Sequence, residues 1–346
     1  MPATPAVSHI LARYRPLVDA EMRAALASRA KMPLYDMVRY HLGYADASGK
    51  RVTRSGGKGI RSGLCLLACE AAEGERERAA PAGAAVELAH GFTLLHDDIA
   101  DQDEQRRGRP TVWKLWGVGH AITAGDAVYA LANLAMDRLA GSASPEIVAA
   151  ALKDLNQAVL DVCEGQQLDI SYEGRDDLGQ ADYLKMVGLK TGALYRAAAA
   201  IGAQVAGADD TVVTALGDFG ASIGVAYQIR DDILGLWGDP RKTGKPVGSD
   251  LRRNKRSLPI ILALSIDSPE LHRRLIGTLG GEAGSDEDVA EITGVMERNG
   301  IRDQCERVAA ALVDEALAKH LRTAGLRPAW QRELETVARY MIERDT

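Results

Sequence analysis

Apolar residues recur every three or four positions along nearly the whole chain, and no segment keeps the strict alternation that a half-buried strand requires. Interrupted by Gly, Pro and Ser clusters such as Gly74 to Pro81 and Gly141 to Pro145, this periodicity predicts helices near 6–30, 33–43, 57–74, 81–104, 120–140, 145–173, 180–207, 210–238, 257–267, 286–299, 301–322 and 328–343. The chain is therefore expected to be all-α. No linker-like shift in composition and no repeat of solenoid period divides it, so one domain over 1–346 is expected.

Composition narrows the function. At 46% hydrophobic, 346 residues can bury a substantial core, and a net charge of −6 argues against a general nucleic-acid binder. Cys65, Cys69, Cys163 and Cys305 show neither a CxxC nor a zinc spacing, so buried free thiols in a reducing compartment are expected. With no signal-peptide pattern and no apolar run of membrane-spanning length, the reading is a soluble cytoplasmic protein without a membrane span.

The candidate chemistry lies where the apolar pattern breaks. Asp97-Asp98-Ile99-Ala100-Asp101 sits at the end of one predicted helix, and a second pair, Asp231-Asp232, sits in another. At 3.6 residues per turn Asp97 and Asp101 share a face, and carboxylates crowded on an apolar helix repel each other unless a cation neutralises them. Hard oxygen donors with no His or Cys beside them suit Mg²⁺, whose shell is usually completed by water and substrate phosphate. A solvated acidic helix end explains one such motif; the second pair counts against it.

Basic residues follow the same map. Gly238 to Pro259 reads as a loop in which seven Lys and Arg outweigh two Asp, placed directly after the second pair, where it could cover an anionic ligand. Arg106-Arg107-Gly108-Arg109 follows the first pair, and Gly56-Gly57-Lys58-Gly59-Ile60-Arg61 stands at a predicted helix start, where unpaired N–H groups favour phosphate. No P-loop spacing is present. His90 and His96 share the helix of the first aspartates; His96 reads as a packed core residue, whereas His90 could donate to a phosphate. Gln166, Asp169 and Lys190-Thr191 interrupt apolar helices and need partners, which helix-to-helix hydrogen bonds could supply.

With these residues assembled, LLHDDIADQDEQRRGRPT, YQIRDDILG and GKPVGSDLRRNKRSLP resemble, in this order, the two aspartate motifs and the flap of the trans-isoprenyl diphosphate synthases, or polyprenyl synthetases. The distinct motifs span 56–259, with generic helices over 1–55 and 260–346. The resemblance implies a helical bundle around a central active-site cavity. It implies that Asp97 and Asp101 ligate Mg²⁺ on an allylic diphosphate (dimethylallyl, geranyl or farnesyl) with Asp98 in support, and that Asp231 holds a further Mg²⁺, for three ions per site. It makes Arg106, Lys190 and Lys245 the clamp on that diphosphate, with Thr191, Gln228, Asp232 and Lys255 nearby. It places Lys58, Arg61, His90 and Arg107 at a metal-free site for isopentenyl diphosphate. A homodimer is also implied.

Two positions depart from that family's pattern. Gly235 stands where a third aspartate is common in the second motif, with Asp239 beyond reach, and Gly59 and Ser62 replace a common Arg and Pro; weaker second-metal binding is the expected result. Two other readings are a class I terpene cyclase, which needs no isopentenyl site, and a non-catalytic subunit of a hetero-oligomeric synthase. For product length, a tail anchored at Asp97 and Asp101 runs back along the same helix past Thr93, Phe92, Ala89 and Leu88. Phe92 lies about 7.5 Å below Asp97, and a bulky aromatic there implies geranylgeranyl diphosphate as product, with farnesyl diphosphate second.

Overall fold

The helical periodicity is realised throughout the residues that the computed structural model describes, namely 6–27, 29, 31–52, 57–239, 248–266, 268–279 and 285–345. In chain order the helices are α1 (Val7–Ala27), α2 (Pro33–His41), α3 (Ile60–Ala71), α4 (Arg76–Ala100), α5 (Val112–Trp116), α6 (Val118–Asp137), α7 (Pro145–Tyr172), α8 (Gln180–Val187), α9 (Ala193–Ala206), α10 (Asp210–Trp237), α11 (Ser249–Arg252), α12 (Leu258–Leu264), α13 (Pro269–Leu279), α14 (Asp286–Arg298), α15 (Ile301–Glu315) and α16 (Pro328–Glu343). Among the described residues the only strands are β1 (Gln105–Arg106) and β2 (Arg109–Pro110), an antiparallel pair. The all-α expectation therefore holds.

The chain forms two compact units, one of Met1–Gln157, Ala197–Gly217 and Ala324–Glu333, the other of Ala158–Arg196, Asp218–Thr323 and Leu334–Thr346. In the first, α4 packs against α1, α3 and α6. Its small side chains make this possible: Ala79, Ala82, Gly83, Ala84, Ala85 and Ala89 are all buried, and a Cβ at Gly83 would run into Leu66. A helix enclosed on so many sides loses the one-sided apolar stripe of a surface helix. Its buried length fixes the height at which its last turn delivers Asp97 and Asp98. In the second unit, Tyr183, Ile229, Ile233, Leu258, Ile261 and Cys305 belong to one apolar core.

Five expectations need correcting. Pro81 does not start a helix: α4 begins at Arg76 and carries Pro81 within it. The hydrogen bond that Pro81 cannot make belongs to the carbonyl of Glu77, in the exposed first turn, where water can replace it. The segment expected as one helix over 180–207 is interrupted by a π-helical stretch, Gly188–Gly192, and that expected over 301–322 by another, Ala316–Leu321. α10 is long and apolar enough to cross a bilayer by length and composition, although no run was expected to be; 56% of its apolar window is buried within the protein, as in a core helix. Cys163 is exposed, unlike the buried thiols Cys65, Cys69 and Cys305, and none of the four is in a disulfide. α5, α11 and α13 lie in stretches the pattern left unassigned.

Candidate active site

α4 ends at the first aspartate motif. The N–H of Asp101, the C-cap, donates to the carbonyl of Asp97 at 2.8 Å, which keeps the two one helical turn apart. Both are partly exposed, whereas Asp98, one position round the helix, is 1% exposed. Asp98 Oδ1 accepts from Arg106 Nε at 2.5 Å, and Arg106 Nη2 lies 3.7 Å from the buried Asp103. Burial pushes the Asp98 carboxyl up to about 6 despite the opposing pull of Arg106. Its second oxygen, Oδ2, is buried with no hydrogen-bond partner among the described residues.

The arginine run forms the turn between β1 and β2. Arg107 and Gly108 both have positive φ, 54° and 68°, the geometry of a tight hairpin turn whose twist suits its strands. Gly108 adopts this freely, whereas Arg107 holds it against a steric cost. The guanidinium of Arg107 lies against Gly57, where a Cβ would come within 2.7 Å of Nη2. Lys58, His90 and Arg107 thus line one open cleft, and Arg61 Nη1 lies 3.2 Å from His90 Nε2. Neutral His90 can accept from Arg61 at Nε2 and keep its proton on Nδ1. Desolvation, then Arg61 and Arg107, hold its pKa well below the usual imidazole range. His41, on α2, lines the same cleft and is pushed down to about 3 by burial and by Arg106 and Arg107. The cleft's positive charge therefore resides on guanidinium and ammonium groups.

Phe92 stacks edge-on to His96, at 4.9 Å between ring centroids, and tilts against Tyr129 of α6 at 5.2 Å. Phe92 and Thr93 are half-buried, and Thr93 Oγ1 donates to the carbonyl of His90. Leu88 and Ala89 are fully buried in the first unit.

In the second unit the π-helical stretch carries Lys190 and Thr191. Lys190 Nζ meets Asp169 Oδ2 at 2.5 Å, so Asp169, the polar interruption in α7, holds the lysine in place. Thr191 Oγ1 donates to Gln228 Oε1 at 3.1 Å, and Gln228 Nε2 donates to Asp232 Oδ1 at 3.0 Å. Asp232, 6% exposed, also accepts from Tyr183 Oη at 2.6 Å and from the Leu258 N–H at 3.2 Å. Burial, reinforced by Asp250, pushes its pKa up to about 7. Asp231, the outward member of the pair, is 41% exposed at its side chain. Gly235 faces Asp250, whose carboxylate oxygens would lie 3.1 and 3.2 Å from a Cβ there. Lys255 is half-buried beyond α11. Lys245 lies outside the described residues. Both side-chain polar atoms of Gln166 are buried without a hydrogen-bond partner among the described residues.

The donor set fits a hard divalent cation: carboxylate oxygens, one of them orphaned, with no thiolate or imidazole among them. Among the described residues no three His, Cys, Asp or Glu side chains converge into a ready-made cage. The sequence reading missed His41, Asp103, Tyr183 and Arg344, which contacts Asp231. His41 stands alone in an ordinary amphipathic helix, and Arg344 lies in a C-terminal stretch with no motif.

Carboxylate pairs on α4 and α10, each with an arginine against one of its members, mark an all-α protein whose charged side chains could take a metal ion and an anionic ligand. The sequence profile of the polyprenyl synthetase family matches residues 44–296, and the chain belongs to that family. It is accordingly a prenyltransferase. It is 38% identical to the (2E,6E)-farnesyl diphosphate synthase of Mycobacterium tuberculosis over 92% of this chain and 88% of that enzyme. It is 41% identical to the geranylgeranyl diphosphate synthase of the same organism over 83% of this chain and 81% of that one. Among solved structures it resembles a polyprenyl synthetase from Streptomyces coelicolor A3(2), with a TM-score of 0.89, 36% identity and 97% and 99% of the two chains covered. It also resembles a geranylgeranyl pyrophosphate synthase from Corynebacterium glutamicum complexed with isoprenyl diphosphate and magnesium, with a TM-score of 0.85, 28% identity and 98% and 100% covered.

If the two arginines serve different diphosphates, their variants separate. Arg107→Ala is expected to raise the KM for isopentenyl diphosphate roughly ten- to a hundredfold, since a charge-assisted contact is worth about 1.5–3 kcal/mol, with little change for the allylic substrate. Arg106→Ala should show the reverse preference and also a lower Tm, because it strips buried Asp98 of its partner. Steady-state kinetics with each substrate varied in turn check this, and equal effects on both would sink the two-site assignment.

Proposed function

We propose that the protein condenses isopentenyl diphosphate with an allylic diphosphate, head to tail, to give an all-trans prenyl diphosphate, most simply geranylgeranyl diphosphate. The observation that carries this reading is the clustering of Lys58, Arg61, His90 and Arg107 about one cleft, which Asp19 and Glu87 also line but neither aspartate pair does. A terpene cyclase, which takes a single diphosphate, has no use for such a second anion site. The Asp97–Asp101 turn argues against a non-catalytic subunit.

Asp97, Asp101 and Asp231 would hold Mg²⁺, which when bound neutralises the charge that builds on the departing diphosphate. The chain's own cations act in the same direction. Arg106 and Lys190 are each fixed by a carboxylate, Asp98 and Asp169, so they are oriented before substrate arrives and need little reorganisation in the transition state. As the allylic C1–O bond breaks, an allylic cation forms and the terminal carbon of the isopentenyl double bond bonds to C1. The resulting tertiary cation then loses a proton from C2, for which the departed diphosphate is the base. No side-chain nucleophile is required. Lys58, Arg61, neutral His90 and Arg107 hold the isopentenyl diphosphate, while Thr191, Gln228, Asp232, Lys245 and Lys255 support the allylic side.

A cytoplasmic homodimer with three Mg²⁺ per site belongs to the same proposal. Leu115 and Val118, with Ile122 and Leu134 of α6, are exposed apolar side chains that a subunit contact would cover. Incubation with Mg²⁺, isopentenyl diphosphate and each allylic primer, with products identified by mass, tests the reaction; absence of any prenyl diphosphate overturns it.

Product length is assigned to Phe92, the aromatic that stands half-buried below Asp97. Phe92→Ala is expected to shift products toward longer chains, at a cost in stability of about 3 kcal/mol from the cavity and the lost stacking on Tyr129. An unchanged product distribution with activity retained would assign length to another side chain.

A further inference from the structure

The end of α16 reaches Asp231. Arg344, one residue beyond that helix, donates from Nη2 to Asp231 Oδ1 and to the carbonyl of Tyr227 at 3.2 Å. Its Cζ lies 3.8 Å from the centroid of the Tyr227 ring. The Arg344 main chain is anchored as well: its N–H donates to the carbonyl of Tyr340, and its own carbonyl accepts from Arg230 Nε at 2.9 Å. The guanidinium side chain is 3% exposed, against 41% for Asp231. An ion pair with one partner so deeply buried is not an interchangeable surface contact. Because the guanidinium is shielded and the carboxylate is not, Arg344 grips Asp231 from the protein side and leaves the rest of the carboxylate facing solvent.

We propose that Arg344 is a positioning residue for Asp231 that makes cation binding there depend on a bound diphosphate. This rests on the assignment of Asp231 as a metal ligand under the proposed function. The guanidinium fixes one carboxylate oxygen and cancels the side chain's charge, so a lone divalent cation meets a neutral pair instead of an anion. A diphosphate brings the negative charge that reverses the balance. The cation then binds to Asp231 and diphosphate together, and the protein avoids filling this position with metal alone.

The test follows Mn²⁺ binding by electron paramagnetic resonance on the full chain, with and without inorganic pyrophosphate. Wild type is expected to gain a Mn²⁺ site on adding pyrophosphate. Arg344→Gln should bind Mn²⁺ at this position without pyrophosphate, about tenfold or more tighter than wild type, because a positive charge beside the ligand is gone. Arg344→Lys should restore the dependence, and Asp231→Asn introduced into the Arg344→Gln background should abolish the gain. Arg344→Met, which keeps the stacked stem, replaces Arg344→Gln if that variant fails to fold. Binding by the uncharged variant equal to wild type in both conditions, or a gain that survives Asp231→Asn, overturns the proposal. Product formation by wild type with isopentenyl diphosphate and an allylic primer separates the two assignments: without product the proposed function fails, and with product but unaltered Mn²⁺ binding only the role of Arg344 fails.

Discussion

Asp97→Ala is expected to lower condensation by about three orders of magnitude or more at saturating Mg²⁺, since a metal acting on a leaving phosphate contributes several kcal/mol to the transition state. The fold should survive. Asp97 is only partly buried on the last turn of α4, and the N–H of Asp101 reaches its backbone carbonyl, which alanine retains. Removing one carboxylate from a helix C-terminus that already carries Asp98 and Asp101 also relieves repulsion and an unfavourable alignment with the helix dipole. The Tm of the metal-free variant should therefore equal or exceed that of wild type. Turnover within a few-fold of wild type would remove Asp97 from the metal site, whereas a collapsed Tm would make the lost activity uninformative.

Gly165→Ala is expected to do the opposite, damaging the fold first and the chemistry through it. A Cβ at Gly165 on α7 would be driven into the backbone N–H of Lys190 and lie 2.6 Å from its Cα. Backbone cannot step aside as a flexible side chain can, so one methyl group costs about 3 kcal/mol or more in overpacking. The displaced element is the π-helical stretch that carries Lys190 and Thr191. Loss of several degrees in Tm, with a raised KM for the allylic substrate in whatever fraction stays folded, is the expected outcome of thermal melts and steady-state kinetics. A variant as stable and active as wild type would mean that the two helices do not pack this closely.

The helical class, the two motifs and most of the basic residues were legible in the chain because each depends on short-range pattern: apolar spacing for helices, adjacent carboxylates for metal chemistry. The division of labour within each aspartate pair was legible in principle. Neighbours on a helix point about 100° apart, so the two members of each pair, Asp97-Asp98 and Asp231-Asp232, meet different surroundings. The structure buries Asp98 and Asp232 and gives them Arg106, Tyr183 and Gln228 as partners. The π-helical stretch at Gly188–Gly192 was not legible, because one extra residue in a turn leaves the apolar pattern on either side intact. Arg344 was not legible either. Its partner lies more than a hundred residues away, and nothing in a single arginine near a chain end marks a long-range ion pair.

The small side chains along α4 also decide where this enzyme can tolerate change over time. Gly83 on α4 stands against Leu66, as Gly202 on α9 stands against the carbonyl of Cys65, so neither can accept even a methyl group without moving a neighbour. Leu88 and Ala89 are locked in the same enclosed stretch. Half-buried positions on the same helix, such as Phe92 and Thr93, leave more room for a side chain to change size, although Phe92 also holds a ring contact to Tyr129 of α6. In a scaffold this tight, sequence change is steered toward the few half-buried positions of α4, because the enclosed ones cannot change size without overpacking or a cavity.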